Sequence, residues 1–214
     1  MPGDDSRQIG FQRGGTSANT FQYLRSNSEQ ELIVAQGLPP YAELSRRGLG
    51  YQVMDTSAIA ALVVRPSTVA GLTLYNGATG STAKSYVIDR VGAFNLVSTD
   101  AIAGWSVWGC VHPAGFTAPT ADITAIKSMN GGTYAGAAIV DTGATVTDNG
   151  WFPIVAGPIG NPGGVTPGPA VVASLDGRII VPPTGAFSIN VVASLATWTF
   201  THFISWYEIL LPNE

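Results

Sequence analysis

The stretch Thr197-Trp198-Thr199-Phe200-Thr201-His202-Phe203-Ile204-Ser205-Trp206-Tyr207-Glu208-Ile209 limits the possible folds most sharply. β-branched and aromatic side chains suit a pleated, half-buried surface, and their alternation decides which face is buried. Trp198, Phe200 and Ile204 point one way, and Thr197, Thr199 and Thr201 point the other. Further on, Phe203, Trp206, Tyr207 and Ile209 put large apolar groups on both faces. A strand that is apolar on both sides is central in its sheet or is covered by another body. The segment is therefore expected to complete a β-sandwich, with Phe203, Trp206 and Tyr207 as contacts to a partner subunit.

Composition supports an all-β reading. Hydrophobic residues make up 45% of the 214, enough for a sizeable core. With 26 Gly and 14 Pro, the chain suits short strands joined by many turns. Only 11% of residues are charged, against roughly 25% in ordinary domains. Such low charge predicts a surface partly covered by other protein, although Thr, Ser and Asn can also keep a β-protein soluble. The formal net charge is −4, and Lys84 and Lys127 are the only lysines, so no basic stripe for nucleic acid exists. Met1 to Arg7 has no apolar signal-peptide core, and the apolar run Ile59 to Val64 is too short to span a membrane. Cys110 is the single cysteine, which excludes an intrachain disulfide. Synthesis in a reducing cytoplasm is the expectation.

Charge also divides the chain. Residues 1–50 carry five Arg and five acids, and Phe11, Phe21 and Tyr23 are scattered there without strand or helix periodicity. This segment is expected to be an extended N-terminal arm, with those three aromatics as assembly contacts. One short helix is predicted over Pro39 to Gly48, with Pro at its start, Arg near its end and Gly as its stop. Residues 51–214 are expected to form the sandwich. Candidate strands fall at 59–65, 71–76, 84–91, 93–98, 104–111, 121–127, 136–141, 169–175, 178–182, 185–193 and 196–210. Turn signals such as Asn76-Gly77, Asp148-Asn149-Gly150 and Asp176-Gly177 separate most of them. Residues 156–169 read as a long irregular loop. This pattern predicts a two-sheet β-sandwich of jelly-roll type.

Few residues promise chemistry. Asp141-Thr142-Gly143 after an apolar strand resembles the active turn of aspartic proteases, in which two carboxylates share a proton. With one such motif the chain would have to dimerise, and no downstream bracing segment is present. Asp, Thr and Gly are also ordinary turn residues, so a turn is the favoured reading. Cys110 and His112 share a strand face and could touch one metal, but a zinc site needs three or four ligands. His112 and His202 are expected to be packed or hydrogen-bonded. Asp141, Asp148 and Asn149 could offer oxygens to calcium, but without the usual spacing a solvated loop is the simpler reading. No catalytic set, cofactor or metal is therefore expected. Trp151 and Tyr134 are candidate exposed aromatics for a glycan-binding alternative.

Three segments resemble virion structural proteins of tailed bacteriophages: Leu38 to Gly48, Lys84 to Val91, and Phe203 to Ile209. The resemblance implies an arm followed by a jelly roll, commonly assembled as a homotrimer. It also implies a role as capsid decoration, minor capsid or fibre protein, located in the virion and partnered by a major capsid or other virion protein. Such proteins work through surfaces, so no functional residues are implied individually.

Overall fold

The computed structural model describes residues 9–12, 21–24, 41–97, 104–123, 125–159 and 168–211. The chain divides into two compact units, Met1–Ala42 and Glu43–Glu214. In the first, β1 (Ile9–Gln12) pairs antiparallel with β2 (Phe21–Leu24). Phe11 stands opposite Gln22, Phe21 opposite Gln12 and Tyr23 opposite Gly10. The aromatics expected as assembly contacts on the extended arm thus lie on a two-strand ladder; their side chains fall outside the described residues.

The helix forms as predicted, as α1 (Ala42–Arg46). Gly48, at φ 70°, supplies its left-handed stop. The Gly48 N–H reaches the Ser45 carbonyl at 2.9 Å and the Leu49 N–H reaches that of Leu44 at 3.0 Å, which satisfies two carbonyls that the helix end would leave open.

The second unit is a sandwich of two antiparallel sheets. Its strands are β3 (Gly50–Met54), β4 (Ile59–Ala60), β5 (Leu72–Asn76), β6 (Ser85–Val97), β7 (Trp105–His112), β8 (Lys127–Ser128), β9 (Ala138–Thr142), β10 (Phe152–Ala156), β11 (Ala170–Val181), β12 (Ala186–Ala193) and β13 (Thr199–Ile209). Sheet I has the order β10-β7-β12-β5-β9, and sheet II the order β11-β6-β13-β3-β8, with β4 also on β13. Setting aside the short β4 and β8 and the added β9 leaves eight strands. Numbered in chain order, sheet II then runs six-three-eight-one and sheet I five-four-seven-two. This is the double Greek-key wiring of a jelly roll.

Alternation fills the space between the sheets. Phe187, Ile189 and Val191 of β12 and Val107 of β7 meet Tyr86, Ile88 and Val91 of β6 and Phe200, Ile204 and Trp206 of β13, all buried. Trp105 of sheet I packs on Phe200 of sheet II with ring centroids 4.8 Å apart. Trp206 was expected to touch a partner subunit. Instead it is fully buried in this core: it keeps the inward parity of Phe200 and Ile204, and the register shift beside it falls on β6, where Asp89 is the extra residue between the partners of Ser205 and Trp206. Tyr207 is also buried within the chain, with its hydroxyl 3.4 Å from that of Ser45 on α1.

The strand map differs from expectation at several places: of the predicted 59–65 only Ile59–Ala60 is strand, and among the described residues the predicted 121–127 reaches a strand only at Lys127, in β8 (Lys127–Ser128). β3 and β10 were not predicted. β6 runs unbroken through Gly92, where a Cβ would stand 2.7 Å from the Val171 carbonyl oxygen of the neighbouring strand. Asp176-Gly177, read as a hairpin turn, is a bulge inside the single strand β11. Both residues take left-handed backbone angles, φ 48° and 73°, and the register against β6 jumps between Ser174 and Ile179.

A second, smaller apolar cluster covers the outer side of sheet I. It comprises Ala70, Cys110, Ala144, Val146 and Trp151, with Trp108 and Phe116 against it. The chain around 144–151 is held there by the Val146 N–H on the Thr68 carbonyl (2.8 Å), the Asp148 N–H on that of Ser67 (3.1 Å) and Arg65 Nη2 on that of Trp151 (3.0 Å).

Candidate functional site

The outer side of sheet II has an apolar row. Val172 of β11 pairs with Gly92 of β6, Gly92 with Phe203 of β13, and Phe203 with Met54 of β3. These positions share one face, and since Gly92 has no side chain, Val172 leans across it. Met54, Val172 and nearby Leu96 are 42%, 48% and 42% exposed, far from the buried state their side chains favour. Next to the row, Gln52, Met54, Ala125, Lys127 and Phe203 line a hollow of about 310 Å³. Of the three expected contacts on the last strand, Phe203 alone reaches this surface, half-buried.

Under the cluster covering sheet I lies a polar chain. Cys110, His112 and Ser188 come from the outward-facing alternation of β7 and β12, opposite in parity to Phe187 and Ile189. His112 Nδ1 lies 2.9 Å from Asp148 Oδ2 and 3.9 Å from Cys110 Sγ. Its Nε2 is 3.0 Å from Ser188 Oγ, which is 2.9 Å from Thr73 Oγ1. Phe116 stacks on the imidazole, with centroids 4.6 Å apart. The Gly150 N–H donates to Asp148 Oδ1 at 2.6 Å. That bond holds the Asp148 carboxyl below its usual range, with His112 adding to it against some burial. Burial pushes His112 down, opposed by Asp148, and pushes the Cys110 thiol up to about 12, with the Asp148 charge adding to it. A neutral imidazole and a protonated thiol follow.

Ser188-His112-Asp148 has the hydrogen-bond order of a hydrolytic triad. Yet Ser188 has no solvent exposure and its hydroxyl is held between His112 and Thr73, so no substrate could reach it. Sequence reasoning placed Cys110 and His112 on one face, but it grouped Asp148 with Asp141 and Asn149 and did not single out Ser188. Asp148 and Ser188 lie 36 and 76 residues from His112 and meet it only through the folded sheet.

The other nominated residues are placed as follows. Asp141 sits near the end of β9 opposite Thr73, and the turn itself is made by Gly143 at φ 69°. Burial raises the Asp141 carboxyl, with Asp122 adding to it. Asp122 is itself engaged by the Thr142 N–H at 3.0 Å and by the Thr142 hydroxyl. The Asn149 carbonyl accepts from Arg65. Trp151, a candidate exposed aromatic for glycan binding, is only 3% exposed, because its loop folds back onto sheet I. Tyr134 is half-buried against the main core and donates to Glu208 Oε1 at 2.9 Å.

His202 faces inward between Phe200 and Ile204 and is clasped by Asp55. Its Nδ1–H and backbone N–H both donate to Asp55 Oδ2, at 2.7 and 2.8 Å, and the Asp55 N–H donates to its carbonyl at 3.0 Å. Gly71 is required opposite it, since a Cβ there would lie 2.5 Å from Nε2.

A polar pocket of about 400 Å³ opens at Glu208, with Thr79, Thr82, Lys84 and Tyr86 among its walls. Lys84 Nζ stands 3.9 Å from Glu208 Oε2. Burial pushes the Tyr86 phenol above its ordinary range, with the Glu208 charge adding to it.

Comparison with protein-family models, curated proteins and solved structures finds no match to this chain. Among the described residues no helix is long and apolar enough to cross a membrane.

Proposed function

We propose that this protein is a non-enzymatic structural subunit of a virus particle, a homotrimeric capsid decoration or minor capsid protein that works through its surfaces. The observation that carries this reading is the apolar row Val172–Phe203–Met54 on the outer side of a jelly-roll sheet. The main core is complete without it, so burying the row calls for a second body. A chain with so few charges favours association over solvation of that face. We take another copy of the chain as the first occupant, and a major capsid or other virion protein as the further partner. The test is the mass of the purified protein by light scattering at micromolar concentration, followed by its location in purified particles. A trimer found on the particle surface supports the proposal. A stable monomer, or a protein missing from the particle, overturns it.

One observation favours a second reading as a receptor- or glycan-binding module. The Glu208 pocket sets a buried carboxylate, a lysine and hydroxyls around one concavity, a donor and acceptor set suited to sugar hydroxyls. Binding on a glycan array that disappears in Glu208→Gln would select it over the first.

A further inference from the structure

We propose that Cys110 Sγ, His112 Nδ1 and Asp148 Oδ2 form a zinc site that pins the 144–151 loop to β7. The three ligand atoms lie within 4.8 Å of one another. Zinc bonds to sulfur, imidazole nitrogen and carboxylate oxygen measure roughly 2.0–2.3 Å, so one ion can touch all three after sub-ångström shifts. The donor set is suited to zinc, with one soft thiolate, one imidazole and one carboxylate.

The surroundings are those of a held ligand set. Thiol and carboxylate converge on the same ring nitrogen of His112, at 3.9 and 2.9 Å, while the other nitrogen is fixed at 3.0 Å by Ser188. A ligating histidine is normally oriented this way, by a partner on its second nitrogen. Ser188 is fixed in turn by Thr73, and the ring plane is clamped by Phe116. The Gly150 N–H fixes the carboxylate through its other oxygen. Cys110 and His112 are buried, while the Asp148 side chain is 28% exposed, which leaves an entry path and room for water as a fourth ligand.

The proton balance closes locally. Without metal, the Nδ1–H donates to Asp148 and Nε2 accepts from the Ser188 hydroxyl. With metal, Nδ1 gives its lone pair to zinc and Nε2 carries the proton, donating to Ser188, whose hydroxyl turns to donate to Thr73. Serine and threonine hydroxyls can take either role. The Cys110 thiol proton leaves to solvent as the sulfur–zinc bond forms. The ion would serve as the loop's cross-link in a chain whose lone cysteine rules out an internal disulfide.

The test uses the full chain, reduced, stripped with EDTA and titrated with Co²⁺ and then Zn²⁺. A single-equivalent cobalt complex with a near-ultraviolet thiolate charge-transfer band, displaced by zinc, is the expected result. Zinc should also slow reaction of Cys110 with a thiol reagent. Cys110→Ser should abolish the band, Asp148→Asn should weaken binding, and Ser188→Ala should weaken it about tenfold through loss of the orienting bond. Circular dichroism checks that each variant folds. Absence of the band in the wild-type protein overturns the site whatever the variants do, as does zinc affinity unchanged in folded Cys110→Ser or Asp148→Asn.

Discussion

The two sheets share one core but treat their outer sides differently. Sheet I carries its own cover: a loop folds back over it, buries Trp151 and Cys110, and closes a chain of polar contacts from Asp148 to Thr73. Sheet II is covered near α1, where Tyr207 meets Ser45, but bare along Met54, Phe203 and Val172. One sandwich thus carries a face closed by its own loop and a face whose apolar row stays exposed. Polar residues on the outer side of sheet I are tolerated because each finds a partner. Among the described residues, the apolar row on the outer side of sheet II is only partly covered: Met54 and Val172 stay exposed and Phe203 is half-buried.

Substitutions can break or sharpen this contrast. The largest effect is expected in the shared core. Trp206→Ala should cost about 3–5 kcal/mol, read as a lower urea midpoint, since a fully buried indole leaves a cavity that the sheets cannot close. If that loss is small and the oligomer dissociates instead, Trp206 is a partner contact after all. Under the cover of sheet I, Ser188→Ala should cost about 1–3 kcal/mol by leaving His112 Nε2 and Thr73 Oγ1 without their partner. Adding Thr73→Val should then cost less than it does alone, because the two hydroxyls act as a pair. On the bare face, Phe203→Asp should move the midpoint by no more than about 0.5–1 kcal/mol while lowering the mass seen by light scattering. A folded variant with unchanged mass would remove this face from the assembly. Asp141→Asn, on an edge strand, should change neither folding nor mass, within about 0.5 kcal/mol.

Much of the sandwich was legible from alternation and turns. β12 and β13 alternate clearly because one face of each meets the core, and Gly48 marked the helix end. What failed has identifiable causes. At Gly92 and at Asp176-Gly177, turn-forming residues serve close strand packing and a bulge, and local sequence does not distinguish these uses. β10 contains Pro153 and half-exposed residues, as an edge strand permits, and so lacked a strand signature. Trp206 was misplaced although its parity with Phe200 and Ile204 already pointed it inward: apolar neighbours on both faces of the strand end were read as a partner surface, whereas Tyr207 on the other face is covered within the chain. Trp151 follows a turn, which left its exposure open in the sequence; only the fold brings sheet I beneath it. The Cys110–His112–Asp148 cluster was two-thirds visible, since strand parity pairs the first two residues while the third comes from a distant loop.

The bulge in β11 bears on how copies of this chain can meet. β11 is twelve residues long and ends its sheet, so its free backbone edge is a potential template for another chain's strand. Asp176 and Gly177 break that edge into the short runs 170–174 and 179–181, with Asp176 and Arg178 projecting between them. An approaching strand could match only a few residues before losing register. Edge-to-edge growth has no natural end point and yields fibres, whereas contacts between faces can close on themselves after a fixed number of copies. The kink thus denies copies of the chain a long, regular edge on which an open-ended polymer could grow.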